Sequence, residues 1–89
     1  MSLISSFYGV QVHVELRDAH SHLPAHVRVT YGGDEGVFGI ESAEPLGGNL
    51  PLRPLRLIPG WIELHRHVLM VNWALAAEGR PVFNVAPLQ

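Results

Sequence analysis

The amino-acid sequence predicts an α+β fold, in which an antiparallel β-meander of three to four strands is followed by a long amphipathic C-terminal helix. Two observations lead to this prediction. Apolar and polar residues alternate with a period of two up to about residue 41, whereas from Pro51 onward apolar residues recur with the period of an α-helix. With 89 residues, the chain is expected to form one domain over residues 1–89.

The first half of the chain is predicted to form consecutive strands joined by tight turns. In the first strand Val10, Val12 and Val14 fall on one face, which is typical of a half-buried strand. The sequence Gly33-Asp34 suits a hairpin connection between two later strands. The predicted strands lie at residues 7–16, 25–31, 35–41 and, as a short fourth strand that the pattern leaves open, 44–46.

The second half is predicted to be a helix over residues 51–78, with Asn49 as the N-cap and Gly79 as the stop signal. Its apolar residues cover an arc of roughly 200°, about twice the width that a surface helix buries against one neighbour. Pro59-Gly60 interrupts the pattern, so the helix is predicted to be kinked or broken there. Residues 80–89 are predicted to form an extended tail.

Composition and charge argue against several classes of protein. The chain is 47% hydrophobic and 16% charged with a net charge of −2, which indicates a globular protein without the basic field that attracts nucleic acid. Because it contains no cysteine, disulfides and thiolate chemistry are excluded and a reducing compartment is favoured. We expect neither a signal peptide nor a membrane span, and therefore a cytoplasmic location.

Several short motifs along the chain carry a resemblance to a known family. They are Phe7-Tyr8-Gly9, Pro24 with His26, Tyr31-Gly32-Gly33, Glu41, Leu50-Pro51, Leu55-Arg56-Leu57, Trp61, Leu64-His65-Arg66 and Asn72-Trp73. In this order and spacing they resemble the bacterial domain-of-unknown-function 4160 family. The resemblance implies a small standalone bacterial protein of the kind associated with toxin–antitoxin-like or regulatory gene pairs, and it carries over no catalytic residue.

The sequence departs from the family pattern at two places. The family has a His-x-His pair early in the second strand, where this chain has His26-Val27-Arg28. The family's helix is uninterrupted, whereas this one contains Pro59-Gly60. The first departure weakens any metal or acid–base role for that strand, and the second puts the continuity of the helix in doubt.

Six histidines in 89 residues raise the question of a metal site. His20-x-His22 and His26 could supply imidazole ligands from the turn and strand that follow the first strand. His65 and His67, in contrast, diverge by about 200° on a helix and cannot chelate one ion together. No carboxylate is spaced to complete a ligand set with them, so we predict no metal and no cofactor.

Two groups of polar residues are candidate binding sites. Alternation places His13, His26 and Arg28 on the polar face of neighbouring strands, where imidazole and guanidinium groups suit a phosphate or a carboxylate. A solvated sheet face is the simpler interpretation of the same pattern. His65 and Asn72 lie within the apolar helix arc, so each must find a hydrogen-bond partner in the core, in a dimer or in a ligand.

Tyr31 and Arg56 belong to the motifs that carry the family resemblance, and they complete the set of candidate binding residues.

The function that the sequence favours is that of a non-enzymatic regulatory or partner-binding protein, as in one half of a toxin–antitoxin-like gene pair. Nucleophile-elbow, P-loop and dinucleotide-binding motifs are missing from the sequence. One alternative is a small nuclease-like toxin that uses His26, Arg28 or His65 as acid–base or phosphate-contacting groups. A second alternative is a nucleic-acid-binding protein that uses Arg53, Arg56 and His67, near one side of the helix start.

The width of the apolar helix arc predicts a homodimer. One sheet covers about half of the helix, and the residues left over follow the 4–3 spacing of a helix–helix contact: Leu57, Trp61, Leu64, Val68, Val71 and Leu75. Two-fold pairing of identical stripes would remove this apolar surface from water. Two other solutions stay open, because the C-terminal tail or a small protein encoded by an adjacent gene could cover the same stripe.

Overall fold

The computed structural model describes residues 2–15 and 22–89, which form five β-strands and one α-helix. The strands make a single antiparallel sheet in the order β1-β2-β3-β4-β5, so each strand pairs with the next in the chain. The predicted meander followed by a helix is confirmed, with five strands instead of three or four. The elements are β1 (Ser2–Phe7), β2 (Val10–Val14), β3 (His26–Tyr31), β4 (Asp34–Gly39), β5 (Pro45–Gly48) and α1 (Leu52–Ala77).

A hairpin turn at Tyr8-Gly9 divides the strand that was predicted over residues 7–16. Tyr8 and Gly9 have φ angles of 49° and 80°, and two consecutive positive values are typical of a type I′ two-residue turn. The sequence pattern does not predict β1, because a bulge between Leu3 and Ser5 interrupts the period of two. Leu16, the predicted end of the strand, lies outside the described residues.

The short fourth strand that the sequence left open exists as β5, at one edge of the sheet. Its last residue, Gly48, has a φ angle of 107° and lies against the backbone of Glu35 and Gly36. A Cβ at this position would collide with that backbone, so only glycine fits there. The close approach brings Asn49 beside the start of β4.

The start of α1 differs from the prediction. Pro51 is the N-cap residue and makes no side-chain capping bond. Asn49 instead accepts a hydrogen bond from the Glu35 backbone N–H (3.3 Å), so its side chain joins the end of β5 to the start of β4 and does not cap the helix. The end of the helix follows the prediction, since Gly79 has a φ angle of 70° directly after the C-cap residue Glu78.

The helix is irregular, as predicted, but the irregularity lies at His65 and not at Pro59-Gly60. His65 has φ −121° and ψ 18°, whereas the helix runs continuously through Pro59. At this turn the Arg66 side chain donates a hydrogen bond to the carbonyl oxygen of Ile40 (3.1 Å), just beyond β4. The helix therefore accommodates Pro59 without a kink, and the irregular residue lies next to the Arg66 contact.

The hydrophobic core lies between one face of the sheet and α1, and the C-terminal tail closes it on one side. The Val85 backbone N–H donates to the carbonyl oxygen of Ile4 in β1 (2.7 Å). The indole N–H of Trp61 donates to the carbonyl oxygen of Ala86 (2.8 Å). The largest fully buried side chains are Trp61, Phe38, Ile4, Ile40, Ile58, Ile62 and Leu69.

Within the described ranges, no helix combines the length and the apolar character needed to cross a membrane.

Candidate functional site

A polar cluster lies on the face of the sheet that points away from α1. The pairing of β2 with β3 sets His13 opposite Arg28 and Gln11 opposite Thr30. His13 Nε2 lies 3.3 Å from Thr30 Oγ1, and the Thr30 hydroxyl donates to Gln11 Oε1 (3.4 Å). Because the Thr30 hydroxyl gives its proton to Gln11, it accepts a hydrogen bond from His13. Nε2 of the neutral His13 ring therefore carries the proton, and Nδ1 does not. Within the described residues Nδ1 has no hydrogen-bond partner, although His13 is only 5% exposed.

Arg28 forms an ion pair with Glu35 of β4, on the same face of the sheet. Glu35 therefore already neutralises the guanidinium charge to which a phosphate or a carboxylate would bind. The Arg28 side chain is also mostly buried, so an incoming anion would have to displace Glu35 from it. The Arg28–Glu35 ion pair therefore argues against an anion site at this position.

His26 does not join this cluster, contrary to the prediction from alternation. Its ring lies against Trp73 of α1, with 4.9 Å between the ring centroids, and it is only 2% exposed. Its Nδ1 donates to the carbonyl oxygen of Pro24 (2.8 Å). Because His26 is the first residue of its strand, contacts with the helix decide its orientation more than the period of the sheet does.

His65 and Asn72, the polar residues of the apolar helix arc, have separate roles. The His65 ring packs beside Trp61, with centroids 5.5 Å apart. Asn72 is fully buried, and its amide makes a pair of hydrogen bonds with the backbone of Phe83: it donates to the carbonyl oxygen (2.9 Å) and accepts from the N–H (2.8 Å). Asn72 is thus the buried polar group that the sequence required to find a partner, and the partner is the tail.

Tyr31 and Arg56 lie at different places. Tyr31 is half-buried at the end of β3 and packs against the core. Arg56 is exposed on the first turns of α1, where it borders a surface depression of about 480 Å³ together with Leu52, Arg53 and Leu57. The predicted binding residues therefore do not converge on one pocket.

The part of the chain that the structure describes holds no group of three or more metal-ligating side chains. His20 falls outside the described residues, so the absence of a metal stays a prediction.

The solvent side of α1 carries exposed apolar surface. Leu64, in the middle of the helix, is 73% exposed and borders a depression of about 400 Å³ that the tail residues Pro87 and Leu88 also line. Of the residues predicted to form a dimer stripe, Leu57, Val68, Val71 and Leu75 are half-buried. Trp61 is fully buried within the chain and so cannot belong to that stripe, because the tail lies over it.

The family model described as "Domain of unknown function (DUF4160)" matches residues 9–74, which is most of the chain. The chain belongs to this family. Among curated proteins and among solved structures, no match is found. The matched range includes the polar cluster and nearly all of α1, whereas β1 and the tail lie outside it.

The sequence pattern of this DUF4160 chain did not identify all of the exposed positions on α1. The exposed side of α1 also contains Gly60, His67 and Ala74, which are exposed although none is a large apolar residue. These three residues recur every seven positions, and Gly60 and His67 each lie three positions after Leu57 and Leu64. This spacing is the signal that could have identified them. A search for apolar residues alone overlooks it.

Burial is the largest influence on His13 and lowers its pKa below the ordinary value of 6.5, while the carboxylate of Glu15 partly opposes this shift. The unfolded DUF4160 chain therefore takes up a proton at a higher pH than the folded one. The contribution of neutral His13 to the free energy of unfolding is complete above about pH 6.5 and is lost as the pH falls through the folded-state pKa.

His13→Gln tests this shift, because glutamine keeps a donor for Thr30 but does not titrate. The variant should lose less unfolding free energy than the wild type between about pH 7 and about pH 5, measured by urea titration. Equal slopes for the two proteins would contradict the lowered pKa.

Proposed function

We propose that this DUF4160 protein is a non-enzymatic, partner-binding regulatory protein, one half of a toxin–antitoxin-like gene pair, and that the solvent side of α1 is its interaction surface. The observation that carries the proposal is the 73% exposure of Leu64 in the middle of the helix. A large apolar side chain beside an apolar depression is typical of a protein-binding surface.

The tail extends this surface. Phe83 is 60% exposed, and Leu88 shares the depression next to Leu64. A partner that packs on α1 would therefore also contact the tail, which Asn72 holds in place. Pre-ordering of both parts lowers the conformational entropy that binding would otherwise cost.

The candidate catalytic residues support the non-enzymatic side of the proposal. Arg28 is paired with Glu35, His26 is stacked on Trp73, and His65 is packed beside Trp61. A nuclease needs an acid, a base and a phosphate-binding group within reach of one bond. Here each candidate is engaged with a different part of the fold.

Nucleic-acid binding has a weaker basis. Arg53 and Arg56 are exposed near the start of α1 and border the depression there. Against this, the chain carries a net charge of −2, so there is no general attraction to a phosphate backbone.

Co-expression with the product of each adjacent gene tests the proposed function. One of these products is expected to form a stoichiometric complex with the wild-type chain. Leu64→Glu should raise the dissociation constant at least about a hundredfold, because it places a charge at the centre of a desolvated contact. The matched control is Leu46→Glu: Leu46 is 36% exposed and lies in β5, at the edge of the sheet opposite to β1 and the tail, so this change should leave binding intact.

Two results would count against the proposal. Failure of both neighbouring gene products to bind would remove the gene-pair role. Growth arrest or RNA cleavage by the chain alone, abolished by His26→Ala or His65→Ala with the fold intact, would support the nuclease-like toxin instead.

A further inference from the structure

The exposed residues of α1 follow a regular spacing that differs from the stripe predicted from the sequence. Exposed or half-buried positions recur at alternating steps of three and four, which is the spacing of a two-helix coiled-coil contact. They are Leu57, Gly60, Leu64, His67, Val71 and Ala74, called the exposed seam below. The seam is rotated away from Trp61, which the tail removes from solvent.

The exposed seam is complementary to itself when a second helix runs in the opposite direction. In the antiparallel register that sets Leu64 against His67 of a second copy, Leu57 faces Ala74 and Val71 faces Gly60. Leu57 and Val71 each therefore meet a small residue, Leu64 meets the His67 ring at the centre, and the two-fold axis repeats each contact in reverse. The kink at His65 does not interrupt the seam, since Leu64 before it and His67 after it are both exposed.

Charges at the two ends select the same register. Arg53 lies one step before the exposed seam and Glu78 one step after it, and both are exposed. The antiparallel register sets Arg53 opposite Glu78 of the second copy at both ends, whereas parallel pairing would bring like charges together. Within its own chain Glu78 lies 3.4 Å from Arg80, but both side chains are mostly exposed, so that pair holds Glu78 only weakly.

We propose that a second copy of this chain occupies the solvent side of α1 and pairs with it antiparallel through the exposed seam. The inference rests on the proposed use of this helix face as a protein interface, and it names the occupant. A protein from an adjacent gene would then bind across both copies, on the parts of the same helix side and of the tail that border the seam, so Leu64→Glu would weaken both contacts.

Charge reversal tests the register. Light scattering of the wild-type chain should give twice the chain mass of 9.8 kDa at micromolar concentration. Arg53→Glu and Glu78→Arg should each raise the dimer dissociation constant about tenfold, because like charges meet at both ends. The double variant should recover the wild-type constant. Glu44→Arg is the control, since it changes the net charge by the same amount as Glu78→Arg at an exposed position outside α1.

Disulfide trapping gives a second readout, which the absence of native cysteine makes unambiguous. The positions of Leu57 and Ala74 lie roughly 25 Å apart along one helix, too far for a bridge within the chain. The double variant Leu57→Cys/Ala74→Cys should therefore form a covalent dimer on oxidation, while each single variant stays unlinked. Cross-linking of a single variant would overturn the antiparallel register.

The outcomes separate this inference from the proposed function. A mass of 9.8 kDa across the concentration range overturns the dimer, and it leaves the proposed function standing if an adjacent gene product still binds. A dimer that the double charge reversal does not restore has another register and overturns the pairing. A dimer that meets both tests but binds no adjacent gene product supports the pairing and removes the gene-pair role.

Discussion

Replacing Trp61 by alanine is expected to lower the free energy of unfolding by about 3–5 kcal/mol, a large part of what a domain of this size has. Trp61 is fully buried, and its ring lies 5.4 Å from that of Phe7 at the end of β1. Its indole N–H also donates to the Ala86 carbonyl oxygen, so one side chain connects α1, the sheet and the tail. Alanine would leave a cavity and an unpaired carbonyl. Urea denaturation followed by circular dichroism measures the loss.

Trp61→Phe is the informative companion variant. Phenylalanine retains an aromatic ring beside Phe7 but has no N–H for the Ala86 carbonyl, so the expected loss is about 1–2 kcal/mol. This variant should fold even if the alanine variant does not. A loss below about 1 kcal/mol for Trp61→Ala would contradict the central position of this side chain in the core.

Asn72→Ala is expected to release the C-terminal tail and to lower the free energy of unfolding by about 2–4 kcal/mol. The fully buried Asn72 amide satisfies both the N–H and the carbonyl oxygen of Phe83. Alanine removes both bonds and leaves these backbone groups without partners near the core. Hydrogen exchange at the Val85 amide, which donates to Ile4, should become faster together with the loss of stability.

Asn84→Ala is the matched control for this second prediction, because Asn84 is an exposed asparagine of the same tail. Its effect on stability should stay within about 0.5 kcal/mol. If the Val85 amide stays protected in Asn72→Ala, the tail is held mainly by the Trp61 contact and not by Asn72.

Much of the fold could be predicted from local patterns. Alternation identified the strands that became β2, β3 and β4, whereas the predicted hairpin residues Gly33-Asp34 were off by one, because the turn is Gly32-Gly33 and Asp34 already pairs with Tyr31. The pattern failed where β1 meets β2, because Tyr8 adopts a positive φ angle without being glycine, asparagine or aspartate. Nothing in an alternating run of residues marks such a turn, apart from the single Gly9 that follows.

The candidate site was less predictable, since long-range contacts decide it. Alternation grouped His13, His26 and Arg28, yet His26 packs against Trp73 from the helix. The charge of Arg28 is compensated by an ion pair with Glu35 of the next strand. The sequence pattern does not specify which side chains of the two strands lie beside each other. The polar residues grouped on one predicted face therefore do not all lie together in the structure.

The sequence by itself determined the order of the elements, the antiparallel sheet, the family, and the presence of more apolar helix surface than one sheet can bury. Only the tertiary structure decided which part of that surface is covered. The tail lies over Trp61 and is held by Asn72, while Leu64 stays in solvent. The physical reason is that hydrophobic periodicity requires an apolar face to be buried but does not specify by what. The covering contacts join residues far apart in the chain, such as Asn72 with Phe83 and Ile4 with Val85.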